Sequence, residues 1–227
     1  MQAQTAPAEA PLHYNQDLLA LMPAGARGVV EIGCNTGALA RAYKAANPAS
    51  HYTGIDIDAS FVERSAAYCD QTLLLNIETA DDAFFASYAA TSNVWVFGDV
   101  LEHLRDPWTV LAKIRRALPA DGCIVVCLPN TQHWTVQAKL CIGDLRYEDT
   151  GLLDRTHLRF FTRATMLEMF AGAGLRIEQG HPRIFGALEN PHIIAAIRSM
   201  ALGCGADPEL ALQDAQALQY VVRAVAA

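Results

Sequence analysis

The chain contains the stretch Val29-Val30-Glu31-Ile32-Gly33-Cys34-Asn35-Thr36-Gly37. Its apolar run predicts a buried strand, Gly28–Ile32, and the glycines that follow predict a tight turn into a helix, Ala38–Ala46. Asn35 stands between the two glycines, and asparagine is the non-glycine residue that best tolerates positive φ. A strand, turn and helix in this order bring backbone N–H groups close to a ligand at the helix N-terminus.

Carboxylates follow the apolar part of the next predicted strand, 52–57, at Asp56 and Asp58. An acidic side chain about twenty residues after the glycine turn can accept hydrogen bonds from both hydroxyls of a ribose. The two features together predict a cofactor that contains a nucleoside, bound where parallel strands end. Glu31 would repel a pyrophosphate beside the turn but would not repel an ammonium group, so the turn disfavours a dinucleotide.

Composition and charge limit the possible partners. The 227 residues are 52% hydrophobic and carry a net charge of −7, without a cluster of lysine and arginine. Nucleic-acid binding needs a basic surface, so no nucleic-acid partner is predicted. Residues 1–11 predict a disordered tail rather than a signal peptide, and no apolar run has the length of a membrane span. A cytoplasmic location is therefore expected.

The cysteines and other metal-ligating residues show no metal-binding pattern. The six cysteines are spread along the chain without a C-x-x-C pair, which predicts reduced thiols in the core. The histidines, cysteines and carboxylates between residues 133 and 157 also lack the spacing of metal ligands. The sequence therefore predicts no metal site, with a catechol-type magnesium site as the alternative.

Strands and helices alternate along most of the chain. The other predicted elements are helices at 12–22, 60–68, 107–118 and 163–173 and strands at 73–76, 94–97, 123–128, 175–179 and 219–225. Ser60 and Glu63 predict a capping box for helix 60–68. The alternation predicts an α/β fold with a doubly wound, Rossmann-like sheet. Two segments interrupt it within one predicted domain, 12–227: a lid or acceptor insertion at 131–161 and a helical insertion at 191–217.

Several segments together resemble one known family. They are Glu31–Gly37, Gly54-Ile55-Asp56, Phe97-Gly98-Asp99-Val100-Leu101-Glu102-His103-Leu104, Leu128-Pro129-Asn130 and Gly151-Leu152-Leu153-Asp154-Arg155-Thr156-His157-Leu158-Arg159-Phe160-Phe161. They resemble bacterial class I S-adenosyl-L-methionine-dependent methyltransferases, most of all the ubiquinone-type small-molecule group and the enzymes of cell-surface glycan loci. The resemblance implies a seven-stranded, mostly parallel sheet whose last strand is antiparallel. It also implies S-adenosylmethionine as cofactor and S-adenosyl-L-homocysteine as product.

The resemblance assigns the cofactor contacts to Glu31, Gly33, Cys34, Asn35, Gly37, Asp56, Ile57, Asn76, Ile77, Asp99 and Val100. In this assignment Gly33 and Gly37 flank the methionine portion and Asp56 binds the ribose. Asn76 stands where the family usually has an acidic residue that binds the adenine amine. Its amide oxygen can accept that hydrogen bond, or it can cap the next turn instead.

Two histidines are candidates for catalysis. A hydroxyl nucleophile must lose its proton as it attacks, and histidine can accept a proton at neutral pH. His157 is the first choice for this base, with Asp154 or Thr156 orienting its ring, and a structural network that pins the insertion is the alternative. His103 is the second candidate and is expected mainly to line the cofactor pocket. Glu102 is interpreted as a charge at a helix start.

The predicted reaction is methyl transfer from S-adenosylmethionine to a small polar acceptor, at a hydroxyl of a sugar or a secondary metabolite. The candidates for acceptor binding are Tyr14, His133, Trp134, Tyr147 and Asp154. Three alternatives remain: N-methylation of a small-molecule amine, a partner protein that binds the cofactor without catalysis, and a nicotinamide-dependent oxidoreductase. A nucleic-acid methyltransferase is disfavoured by the acidic charge. The oligomeric state is left open, with a homodimer as one candidate.

Overall fold

One sheet organises the computed structural model of the chain, which describes residues 13–227. Its strands are β1 Gly28–Ile32, β2 His51–Asp56, β3 Gln71–Leu74, β4 Val94–Gly98, β5 Cys123–Pro129, β6 Leu175–Arg183 and β7 Gln219–Ala226. These seven described strands lie in the order β3-β2-β1-β4-β5-β7-β6. The predicted tail, 1–11, falls outside the described residues.

The strand directions confirm the predicted fold class. The first five strands pair in parallel, and β7 is antiparallel to both β5 and β6. Chain order reverses between β1 and β4, which neighbour each other at the centre of the sheet. In open α/β sheets, ligands bind at the carboxyl ends of the strands on either side of such a reversal.

Nine helices accompany the sheet in the described part of the chain. They are α1 Gln16–Leu21, α2 Ala38–Ala46, α3 Ala59–Ser65, α4 Asp82–Ser87, α5 Pro107–Ala117, α6 Trp134–Cys141, α7 Arg163–Gly172, α8 Pro191–Gly203 and α9 Pro208–Gln216. The predicted capping box at Ser60 is wrong, because Asp58 caps α3 and accepts a hydrogen bond from the Ser60 N–H at 2.8 Å. The sequence analysis missed α4, which has only 6 residues.

Two apolar clusters cover the two faces of the sheet. Residues of α1 and α2 pack on one face, and residues of α5 and α7 pack on the other. Neighbouring residues of β1 alternate between the clusters, Val29 with the first and Val30 with the second. Burial on both faces explains why Glu31 is the only charged residue in β1.

The predicted insertion, 131–161, begins with α6 and continues as an irregular segment that returns to the sheet. Two backbone N–H groups, of Leu158 and Arg159, donate to the carbonyl of Glu102 at 2.8 and 2.9 Å. Trp134, at the start of α6, packs against a small apolar cluster formed by α8 and α9. The returning segment is therefore attached to the turn that follows β4.

Burial of the cysteines only partly matches the prediction. All six are free, and Cys34, Cys123 and Cys127 are buried. The prediction of core thiols is wrong for Cys141 and Cys204, which are exposed.

Among residues 13–227, every helix is too short or too polar to cross a bilayer.

Candidate functional site

The turn after β1 has the backbone conformation that its glycines and asparagine predict. Gly33, Asn35 and Gly37 all have positive φ, of 71°, 47° and 76°. A Cβ on Gly33 would lie 2.5 Å from Cγ2 of Val100, so this position also needs the absence of a side chain. The N–H groups of Gly33 and Cys34 donate to the carbonyl of Ile55 at 2.8 and 3.1 Å, which fixes the turn against β2.

Asp56, at the end of β2, connects this turn to the next loop. One carboxylate oxygen accepts from the Asn35 N–H at 2.9 Å and the other from the Asp58 N–H at 3.0 Å. The side chain is buried. A carboxylate offers about four acceptor positions, so two remain for the hydroxyls of a ligand.

Glu31 lies inside the sheet, one residue before the end of β1. Its side chain is buried and accepts a hydrogen bond from the Tyr52 hydroxyl at 2.9 Å. Burial raises the pKa of Glu31 to about 8, and the negative charge of Asp56 adds to the effect, while the Tyr52 hydrogen bond opposes it.

A cavity of about 290 Å³, the Asp56 cavity, opens between the ends of β2 and β3. The predicted cofactor residues in its wall are Gly33, Asp56, Ile57, Asn76, Ile77 and Val100. The side chain of Asn76 also accepts from the Glu78 N–H at 3.0 Å. The predicted capping role of Asn76 is thus present, and the residue lines the cavity as well.

A second cavity of about 210 Å³, the Glu31 cavity, lies on the other side of the glycine turn. Its wall includes the predicted residues Glu31, Gly33, Cys34, Asn35 and Asp99. Tyr14 also lies here, so the structure does not place it with the predicted acceptor residues. Within the described chain, Gly37 lines neither of these two cavities. Its positive φ and the closeness of Ser65 in α3, which leaves little room for a Cβ, account for a glycine at this position.

The third cavity, with a volume of about 500 Å³ the largest of these three, is the His157 cavity. It is lined by Asp99, Glu102, His103, Pro129, Gly151, Leu152, Asp154, His157, Phe185, Leu218 and Gln219. It shares His103 with the Asp56 cavity and Asp99 with the Glu31 cavity, while Gly33 lines both of those. The three cavities therefore converge around Gly33, Asp99 and His103.

The two candidate histidines lie together at this junction. Their rings form an edge-to-face pair with centroids 4.8 Å apart. Desolvation and the nearby His103 lower the pKa of His157, so its ring is neutral at physiological pH.

The groups that contact the His157 ring differ from the predicted partners, Asp154 and Thr156. The backbone of Leu152 hydrogen-bonds the His157 ring, while Thr156 contacts the His103 ring instead, with its carbonyl 3.2 Å from Nδ1. Asp154 accepts from the N–H and hydroxyl of Thr156, so it does not orient His157 directly.

The predicted acceptor residues are only partly brought together. Asp154 lines the His157 cavity. His133 is buried and caps α6, with its Nδ1 2.8 Å from the Thr135 hydroxyl. Trp134 packs under α8 and α9, and the Tyr147 side chain is 67% exposed. Within residues 13–227, His133, Trp134 and Tyr147 are therefore not in the cavity wall.

Seven wall residues were not assigned to the site by the sequence analysis: Glu102, Pro129, Gly151, Leu152, Phe185, Leu218 and Gln219. Glu102 lies in the first turn of the 3-10 helix Leu101–His103, where a helix-start charge was predicted, and its side chain is buried. Gln219 donates to the Asp99 carboxylate at 2.6 Å, because antiparallel β7 begins where β5 ends. The i, i+3, i+4 spacing of Asp99, Glu102 and His103 was a usable signal for Glu102. Phe185 and Leu218 have no comparable local signal.

Comparison with known sequences finds a match over the part of the chain that contains the glycine turn and Asp56. Residues 30–124 match the family described as "Methyltransferase domain". The match includes the glycine turn, Asp56 and the Asp99–His103 segment, and it stops before His157. No curated protein matches the sequence significantly.

Solved structures share the fold across most of the chain at low sequence identity. An S-adenosylmethionine-dependent methyltransferase from Mesorhizobium loti is 16% identical, with a TM-score of 0.57 over 92% of this chain and 96% of that one. Mitomycin 7-O-methyltransferase is 18% identical, with a TM-score of 0.56 over 93% of this chain and 52% of that one. The plantazolicin methyltransferase in complex with S-adenosylhomocysteine is 13% identical, with a TM-score of 0.58 over 88% and 76%.

Proposed function

We propose that this chain, which matches a methyltransferase domain over residues 30–124 and shares its fold with S-adenosylmethionine-dependent methyltransferases, methylates a hydroxyl of a small polar acceptor bound in the His157 cavity. A sugar or a secondary metabolite is the acceptor class. The observation that carries the proposal is the convergence of three cavities around Gly33, Asp99 and His103. That junction is where a transferable methyl group would have to lie.

The cofactor fits across the first two cavities. The adenosine would occupy the Asp56 cavity, with the ribose hydroxyls donating to Asp56 and the adenine between Ile57 and Ile77. The methionine portion would pass Gly33 into the Glu31 cavity, where the ammonium group meets Glu31 and Asp99. The sulfonium would then lie at the junction, facing the His157 cavity.

The third cavity suits a small molecule. Its volume of about 500 Å³ is in the range of ordinary ligand pockets. Its wall combines apolar residues, Leu152 and Phe185, with the polar side chains of Asp154 and Gln219. The net charge of −7 argues against a nucleic-acid acceptor.

For methyl transfer, the protein has to align the reacting atoms and to allow the acceptor hydroxyl to lose its proton. Aligning the acceptor oxygen, methyl carbon and sulfur can lower the barrier by about 7–11 kcal/mol. As the oxygen attacks the methyl carbon, the C–S bond breaks and its electron pair stays on sulfur. In the simplest form of this proposal the neutral ring of His157 accepts the hydroxyl proton through Nδ1, which is buried and has no hydrogen-bond partner.

Two measurements test this function. Calorimetry should show S-adenosylhomocysteine binding to the wild-type chain at one site. An acceptor panel of sugars, phenols and amines, assayed by release of S-adenosylhomocysteine, should show turnover with hydroxyl compounds. Turnover confined to amines would contradict the O-methylation proposal. Cofactor binding without turnover on any acceptor would favour a non-catalytic partner protein.

A further inference from the structure

We propose that Glu102, His103 and His157 bind one divalent cation of the first transition row at the inner wall of the His157 cavity. This inference rests on the proposed function and deepens it. It assigns the two histidines as metal ligands and restricts the acceptor to a chelating oxygen compound.

The three side chains come close to the spacing that a common cation needs. One ligand atom from each of Glu102, His103 and His157 lies within 4.8 Å of the other two. Nitrogen and oxygen ligands bond such cations at about 2.0–2.2 Å, so neighbouring ligands of one ion lie roughly 3–3.6 Å apart. Side-chain rotations that bring the three atoms closer by about 1 Å would complete the site.

Both histidines are held as metal-binding histidines usually are. The Nδ1 atom of His103 lies 3.2 Å from the carbonyl of Thr156, which leaves Nε2 as the free nitrogen. On His157 the Nδ1 atom is buried without a hydrogen-bond partner, while the backbone of Leu152 bonds the ring. A backbone carbonyl that accepts the outer N–H fixes the tautomer whose other nitrogen carries a lone pair for the metal.

Glu102 gives a second, independent reason to place a cation at this site. Its side chain is 1% exposed, and its Oε2 atom is buried with no hydrogen-bond partner among the described residues. An unpartnered buried carboxyl oxygen is costly, since it has lost its water and gains no donor in exchange. A cation bound between Glu102 and the two imidazoles would satisfy this atom.

The ligand types favour particular ions. Two imidazoles and one carboxylate suit Mn²⁺, Fe²⁺, Co²⁺ and Zn²⁺, whereas Mg²⁺ and Ca²⁺ prefer oxygen ligands alone. Three protein ligands leave coordination positions open. Because Glu102, His103 and His157 all line the cavity, those positions face the acceptor.

The site would change how the acceptor hydroxyl loses its proton. A cation held by Glu102, His103 and His157 would lower the pKa of a hydroxyl beside it, so the hydroxyl proton could pass to water. The oxygen electron pair would then form the new bond to the methyl carbon, and the C–S electron pair would remain on sulfur. Two open positions would favour a vicinal diol or a hydroxy acid, which can bind through two oxygens. His157 is then a ligand and not the base.

Direct metal titration tests the site without an activity readout. The full chain is stripped with EDTA, dialysed and titrated with Mn²⁺, and free Mn²⁺ is measured by electron paramagnetic resonance. We expect one bound Mn²⁺ per chain, displaced by Zn²⁺ and not by Ca²⁺. Glu102→Gln keeps the side-chain volume and should weaken Mn²⁺ binding at least about 100-fold, since loss of even an outer-shell partner costs 10–100-fold. The exposed His51 offers the matched control, His51→Gln, which should bind as the wild type does.

His103→Gln is the second variant if Glu102→Gln does not fold, as judged by its melting temperature. Absence of stoichiometric Mn²⁺ binding by the wild type, or equal binding by a folded ligand variant, would overturn the metal site. S-adenosylhomocysteine calorimetry on the stripped chain separates the two proposals. If the stripped chain binds the nucleoside and methylates a hydroxyl at full rate in EDTA, the metal site is wrong and the proposed function stands.

Discussion

Replacing Glu31 by glutamine should make the chain without cofactor more stable at neutral pH. Glu31 is buried in β1, and burial raises its pKa to about 8 from the model-compound value of 4.5. Between these values the folded state keeps the carboxyl proton that the unfolded state releases. Stability that is present below pH 4.5 is therefore lost as pH rises towards 8. Glutamine stays neutral in both states and removes this dependence.

The size of the effect follows from that shift. Relative to Glu31→Gln, the wild type should lose about 2–3 kcal/mol of unfolding free energy between about pH 5 and pH 7. For a chain of this length that corresponds to a difference in melting temperature of about 5–10 °C. The Tyr52 hydroxyl, 2.9 Å from Oε2, can donate to the glutamine oxygen instead, so the packing is preserved.

Urea unfolding of the chain without cofactor, at about pH 5 and about pH 7, measures this loss of unfolding free energy. Glu63→Gln is the matched control, because Glu63 is exposed on α3. The control should have the same pH dependence as the wild type. If the Glu31→Gln and wild-type free energies stay parallel from about pH 5 to pH 7, the carboxyl of Glu31 is not held neutral by burial and the reasoning fails.

Three other changes have expected outcomes that binding or unfolding measurements can check. Asp56→Ala should weaken S-adenosylhomocysteine binding about 100-fold by calorimetry, because two hydrogen bonds from the ribose to a charged group are lost; unchanged affinity would show that the ribose is held elsewhere. Gly33→Ala should cost about 3 kcal/mol in urea unfolding, since φ is 71° and the new Cβ would lie 2.5 Å from Val100. Gly143→Ala, at a φ of 73° with open space around it, should cost only about 1 kcal/mol, and equal losses would remove the steric argument. Asp214→Ala should cost about 3–5 kcal/mol, because this buried carboxylate accepts from a guanidinium at 2.8 Å and a phenol at 2.8 Å, and a loss below about 1 kcal/mol would contradict that role.

The sheet could be predicted because its strands are buried on both faces. Strands β1 and β5 are continuous apolar runs, and their predicted bounds differ from the observed ones by at most one residue. Helix α4 was missed because it is a single short segment, stabilised by Asp81 at its N-cap and by Phe85 in the core rather than by a long periodic pattern. Strand β6 was predicted too short, since its second half, 180–183, is formed by pairing with β7 and not by apolar residues.

The geometry around the glycine turn could be predicted from the sequence, whereas the composition of the His157 cavity wall could not. Gly33, Asn35 and Asp56 act through local backbone geometry, which short sequence motifs encode. The His157 cavity brings together residues from the end of β4, the insertion, and the approach to β7, and no local pattern reports such distant contacts. Aromatic residues near α6 were therefore interpreted as acceptor ligands although Trp134 packs under α8 and α9.

The carbonyl of Glu102 accepts hydrogen bonds from Leu158 and Arg159, and the same residue lines the His157 cavity. Glu102 thus joins the turn after β4 to the returning part of the insertion. Substitutions that move the backbone around Leu158 should therefore move this part of the cavity wall as well. If the proposed acceptor binds there, changes in acceptor preference should arise more readily at Phe185 or Gln219, which line the cavity from other parts of the chain.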